Sequence, residues 1–194
     1  MWQWIVSLLR LNKVPAIPEP TVSEEDLVEG TVMTDNLNWQ NDRQIDEIII
    51  HSSATRPSLY VNTKIIRKWH TDPKPQGRGW SDIGYAYVIV RSGKTELGRD
   101  LDDDGFVEDD IGAHAFGWNT NSIGICLVGG VAEDGKTPEA NFTESQMAAL
   151  GALVVSLKQR YPNARVMGHR DTGANKACPS FDVADWLAKY ELAA

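Results

Sequence analysis

Residues 46–53 read DEIIIHSS, three consecutive isoleucines between an acidic pair and a histidine followed by two serines. A short apolar run that breaks into small polar residues predicts a buried strand, and its end at His51 hands an imidazole to the loop beyond. Residues 122–130, SIGICLVGG, predict a second buried strand, and residues 164–169, ARVMGH, a short strand that again ends in a histidine, His169. Between them, residues 84–99, GYAYVIVRSGKTELGR, predict two strands around a Ser-Gly-Lys turn.

Helices alternate with these strands. Residues 143–162, TESQMAALGALVVSLKQRYP, open with Thr143 and carry Gln146 three positions on, a capping-box pattern, and stop before Pro162. A last helix is expected in SFDVADWLAKYEL, residues 180–192. Strands interleaved with helices predict an α/β fold: a single domain with a central mixed β-sheet flanked by helices.

The rest of the chain sets limits on function. With 194 residues and 42% hydrophobic content, the protein can bury one sizeable core. A net charge of -8 opposes binding to phosphate backbones or anionic lipid, so nucleic acid is not an expected partner. Two cysteines cannot make a disulfide framework, although one bridge between Cys126 and Cys178 is arithmetically open.

The first residues, MWQWIVSLLR, would form an amphipathic helix with Gln3, Ser7 and Arg10 as its polar stripe. A run of about ten apolar residues is too short for a transmembrane span, and no basic residue precedes it as in a signal peptide. Such a helix would dock on protein or lie at a membrane surface. Residues 15–41 are rich in proline, acids and polar groups and read as a linker. The expected division is therefore residues 1–43, helix and linker, and residues 44–194, the domain.

Two strands ending in His51 and His169 suggest a site, because strand ends deliver side chains to open clefts and neutral imidazole is a common zinc ligand. Cys178 offers a third, softer donor. Three ligands leave a coordination position open, which is the catalytic rather than the structural pattern, and Cys126 sits inside an apolar run. From spacing alone, a hydrogen-bonded structural histidine remains the rival reading for each strand end. A second metal is conceivable in GRDLDDDGFVEDDIG, residues 98–112, where Asp100, Asp102, Asp104 and Gly105 match the first half of a calcium loop. The twelfth position is Ile111, so a full EF-hand is excluded and a solvated acidic loop is the alternative.

Five ordered segments, IIIHSSAT, WSDIGYAYVI, IGAHAFGWNTNSIGICLVGG, NFTESQMAAL and KACPSFD, resemble the zinc-dependent N-acetylmuramoyl-L-alanine amidases of the phage lysozyme and peptidoglycan-recognition-protein type. The resemblance runs from about Asp46 to Leu192. It implies zinc ligation by His51, His169 and Cys178, catalytic roles for Tyr85 and Lys176, and a substrate contact for His114. It also implies peptidoglycan as substrate, cut between N-acetylmuramic acid and L-alanine. Within such a family, a phage endolysin made in the host cytoplasm and a bacterial wall-recycling amidase are both open. So is a non-catalytic wall-binding module, but modules of that kind typically lack the ligand cysteine.

Overall fold

The computed structural model describes residues 43–190; the expected N-terminal helix and most of the linker lie outside them. Five strands form one sheet: β1 (Glu47–Ser52), β2 (Tyr87–Ile89), β3 (Thr95–Leu97), β4 (Ser122–Leu127) and β5 (Arg165–Gly168). Their order is β3-β2-β4-β1-β5. β1 pairs in parallel with β4 and β5, β4 pairs in parallel with β2, and only β3 runs antiparallel, closing a hairpin with β2. The sheet is therefore mixed, as expected, and each predicted strand is present. β1 continues one residue past His51, because Ser52 still pairs with Leu127.

Among the described residues, three α-helices accompany the sheet: α1 (Thr63–Thr71), α2 (Glu144–Arg160) and α3 (Val183–Lys189). The capping box of α2 forms as its sequence dictates: Thr143 Oγ1 accepts from the Gln146 amide and Gln146 Oε1 accepts from the Thr143 amide, both at 3.1 Å. Gln146 is also fully buried, and its Nε2 donates to the carbonyls of Ile89 (3.0 Å) and Val128 (2.9 Å). One side chain thus starts a helix and pins it to the ends of two strands.

Because successive strand residues point to opposite faces, β1 divides its side chains between two environments. Ile48 and Ile50, with Ile123, Ile125 and Leu127 of β4, pack against Leu150, Val154 and Leu157 of α2 and Val183, Trp186 and Leu187 of α3. On the other face, Val88, Cys126 and Val128 lie under Ile66 of α1, while Ile49 and Met167 meet Ala115 and Trp118. His51 points to this second face, where His114 and His169 stand beside it.

Arg43 closes the opposite end of β1. Its guanidinium donates to the backbone carbonyls of Glu108 (2.7 Å), Asp110 (2.5 Å), Asn119 (3.2 Å), Thr120 (3.1 Å) and Ser122 (2.9 Å). The loop that carries His114 is thereby tied to the start of the domain.

Candidate active site

His51 reaches the site from β1, and His169 follows β5 as the first residue of a 3-10 turn, His169–Thr172. Since β1 and β5 are adjacent and parallel, the two imidazoles come side by side, with ring centroids 4.5 Å apart. Cys178 arrives on the loop before α3. The Ser52 amide donates to its Sγ at 3.2 Å, and His51 Nδ1 lies 3.8 Å from the same sulfur. One ligand atom from each of His51, His169 and Cys178 falls within 4.8 Å of the other two. Both cysteines are free, so the bridge that composition left open does not form.

Electrostatics keep this group able to donate lone pairs. Burial pushes the His51 pKa well below its ordinary value, and His114, His169 and Lys176 reinforce the shift. His169 is lowered by burial and then by Lys176. Burial raises the Cys178 thiol, against the opposing pull of the Ser52 hydrogen bonds, Lys176 and Arg170. Removing the thiol proton thus calls for a further positive charge beyond those side chains.

Tyr85 and Lys176 border the triplet. Tyr85 sits two residues ahead of β2 rather than within it, with its ring 5.2 Å from that of His51. Burial holds its phenol well above the ordinary pKa, with the two cysteines adding to the shift, so the hydroxyl keeps its proton. Lys176 is exposed yet near enough to act electrostatically on His51, His169 and Cys178. His70 is held in the packing: its Nδ1 accepts from the Gly84 amide at 3.1 Å and its ring lies 4.7 Å from that of Trp80.

His114, expected as a substrate contact, has a buried side chain, and its Nδ1 lies 3.0 Å from Nε2 of His51. The acidic loop does gather Asp100, Asp102 and Asp104, with carboxylate oxygens within 4.8 Å of one another. Gly105 there takes a left-handed φ of 81°, and Ile111 stands exposed where a calcium loop needs its bidentate carboxylate.

The profile of the N-acetylmuramoyl-L-alanine amidase family matches residues 41–181. The chain belongs to this family. It is 46% identical over 147 residues to the endolysin of Escherichia phage T7, covering 76% of this chain and 88% of that protein. The endolysin of Klebsiella phage KP32 is 44% identical over 150 residues, covering 77% and 90%. Among solved structures, the endolysin amidase LysCS from Clostridium intestinale superposes with a TM-score of 0.61 at 25% identity, covering 78% of this chain and 86% of that one. Drosophila PGRP-LB gives 0.55 at 26% identity, covering 75% and 81%. The match confirms the fold and makes this amidase a hydrolase of the amide bond between N-acetylmuramic acid and L-alanine of peptidoglycan.

Proposed function

We propose that this amidase is a zinc enzyme of the endolysin kind, with His51, His169 and Cys178 as its protein ligands. The observation that carries the reading is the convergence of two neutral imidazoles and one thiol from three separate chain segments. The donor set fits the ion: with Zn–N near 2.0 Å and Zn–S near 2.3 Å, a tetrahedral N-to-S edge is about 3.5 Å, close to the 3.8 Å between His51 Nδ1 and Cys178 Sγ. The raised thiol pKa fits as well, since a dication supplies the charge that thiolate formation requires. When bound, zinc supplies Lewis-acid polarisation of the scissile carbonyl and activation of water.

The chain's own residues do the rest. Tyr85, kept protonated by burial, orients the attacking water or donates a hydrogen bond to the developing oxyanion. Lys176 places a fixed positive charge where negative charge grows on the carbonyl oxygen. It sits two residues before a ligand, so the loop that delivers Cys178 also delivers the electrophile. His114 acts through His51 and not on substrate.

The catalytic unit starts just ahead of Arg43, whose bonds close the loop before β4. Among the described residues, no helix is long and apolar enough to cross a membrane. As an endolysin the protein would be made in the host cytoplasm and act on the wall once it gains access. The residues ahead of that unit would then serve docking or delivery rather than chemistry.

Purified sacculi incubated with the protein, with and without a chelator, test the reading. Mass spectrometry should find new free L-alanine amines on stem peptides, and the chelator should abolish them. Cleavage within the glycan, or release that persists unchanged after metal removal, would contradict it.

A further inference from the structure

The contact between His51 and His114 is the first step of a longer chain. Ser122 Oγ lies 2.6 Å from the carbonyl oxygen of Trp118 and 3.4 Å from Nε2 of His114. His114 Nδ1 lies 3.0 Å from Nε2 of His51, and His51 Nδ1 faces Cys178 Sγ at 3.8 Å. Every link but the first joins atoms that could each donate or accept. The first link removes that freedom, because a carbonyl oxygen only accepts.

The direction then propagates. Ser122 spends its one hydroxyl hydrogen on the Trp118 carbonyl and presents only lone pairs to His114. Nε2 of His114 must therefore carry the proton, and in a neutral imidazole this leaves Nδ1 as an acceptor. Nε2 of His51 must donate to it. His51 then has its single proton on Nε2 and a bare lone pair on Nδ1, the nitrogen that faces Cys178 Sγ.

We propose that Trp118, Ser122 and His114 form a directional hydrogen-bond relay that fixes His51 in its Nε2-protonated tautomer and so prepares Nδ1 for the metal. The inference rests on the zinc reading of the site and makes His114 a positioning residue. A second observation supports it independently: the ring has a seat built for it. A Cβ added at Gly124 would stand 2.6 Å from His114 Cδ2 and Cγ, and one added at Gly112 would stand 2.6 Å from Cδ2. Asn119 Oδ1 accepts from the backbone amides of both His114 and Ala115 at 2.9 Å, fixing the loop from which the ring projects. Two glycines and an asparagine thus hold an imidazole that solvent scarcely reaches. Its role in the buried interior is to orient a ligand, since partners of this kind set the tautomer and ring angle of metal-binding histidines.

Long-range proton–nitrogen NMR of the full-length protein, with its histidines labelled with nitrogen-15 and its metal removed by chelator, reads the tautomer directly. His51 should appear protonated on Nε2, and His114→Leu, which removes the acceptor, should convert it to a mixture. Zinc affinity, measured by competition with a chromophoric chelator, should fall about 10- to 100-fold in His114→Leu. His114→Asn, which keeps an acceptor near the Nδ1 position, should recover most of that loss. The wild-type tautomer is informative even if the leucine variant does not fold. A wild-type His51 protonated on Nδ1, or leucine and asparagine variants that both bind zinc as tightly as wild type, would overturn the relay. Failure of the wild-type protein to bind zinc would instead overturn the zinc reading, whatever the tautomer.

Discussion

Ile50 and His51 are consecutive residues of one strand, almost equally buried, and they meet opposite conditions. Ile50 points into the layer formed with α2 and α3, where the requirements are volume and apolarity. His51 points to the other face, where its two ring nitrogens must each find a particular partner. The packing face tolerates any well-shaped apolar side chain, since dispersion and burial have no direction. The site face depends on which atom holds each proton, so it uses hydrogen bonds, close glycines and charges held near Lys176. Folding stability is concentrated on one side of the sheet and chemistry on the other.

Paired substitutions would break this division if it is wrong. His169→Ala should cut amidase turnover by about three orders of magnitude through loss of the metal, while the unfolding midpoint in chelator moves little. Leu150→Ala, in fully buried α2 packing, should cost about 2–5 kcal/mol of stability while the folded fraction still binds zinc. The contrast fails if denaturant unfolding and metal titration show the two variants losing the same property.

Smaller effects sharpen the picture within the site. Tyr85→Phe and Lys176→Ala should each lower turnover by about 10- to 100-fold with zinc content unchanged. Steady-state kinetics beside metal analysis would check this, and unchanged turnover in both would return these residues to packing and surface roles.

A separate effect is in pH dependence. Burial holds His70 at about 4 and His114 at about 3, against an ordinary value of 6.5. The unfolded chain therefore binds more protons than the folded one below about 6.5, so stability falls as pH drops through that value. The loss is complete once pH has passed the folded values, near 4 and near 3. Urea midpoints of the chelator-treated protein should decrease between pH 7 and 5, and His70→Gln should flatten that slope. A wild-type midpoint that rises on acidification would contradict the sign.

The two faces were not equally legible in the sequence. The run IIIHSS and the block SIGICLVGG announce buried strands because a continuous apolar segment has few other places to go, and Thr143 with Gln146 announces a helix start locally. The second task of Gln146, bonding Ile89 and Val128, is invisible in sequence because it depends on tertiary contact between three elements. His51, His169 and Cys178 were legible as candidates from strand ends and donor chemistry, and the family resemblance completed the set. His114 was legible as a candidate, but its contact with His51 was not. Its contact with His51 depends on how the loop before β4 folds back over the sheet, a path set by Arg43 and Asn119 rather than by periodicity. The glycines at 112 and 124 were the available sign, since both stand where a side chain would collide with that ring.

The central claim is that three residues from three segments hold one catalytic zinc ion, and metal analysis of cysteine variants tests it most directly. The full-length protein and Cys126→Ser, whose residue lies buried in β4, should each carry about one zinc per folded chain, and Cys178→Ser should carry essentially none and hydrolyse no muropeptide. Stoichiometric zinc in Cys178→Ser, or full activity in wild-type protein stripped of metal, would contradict it.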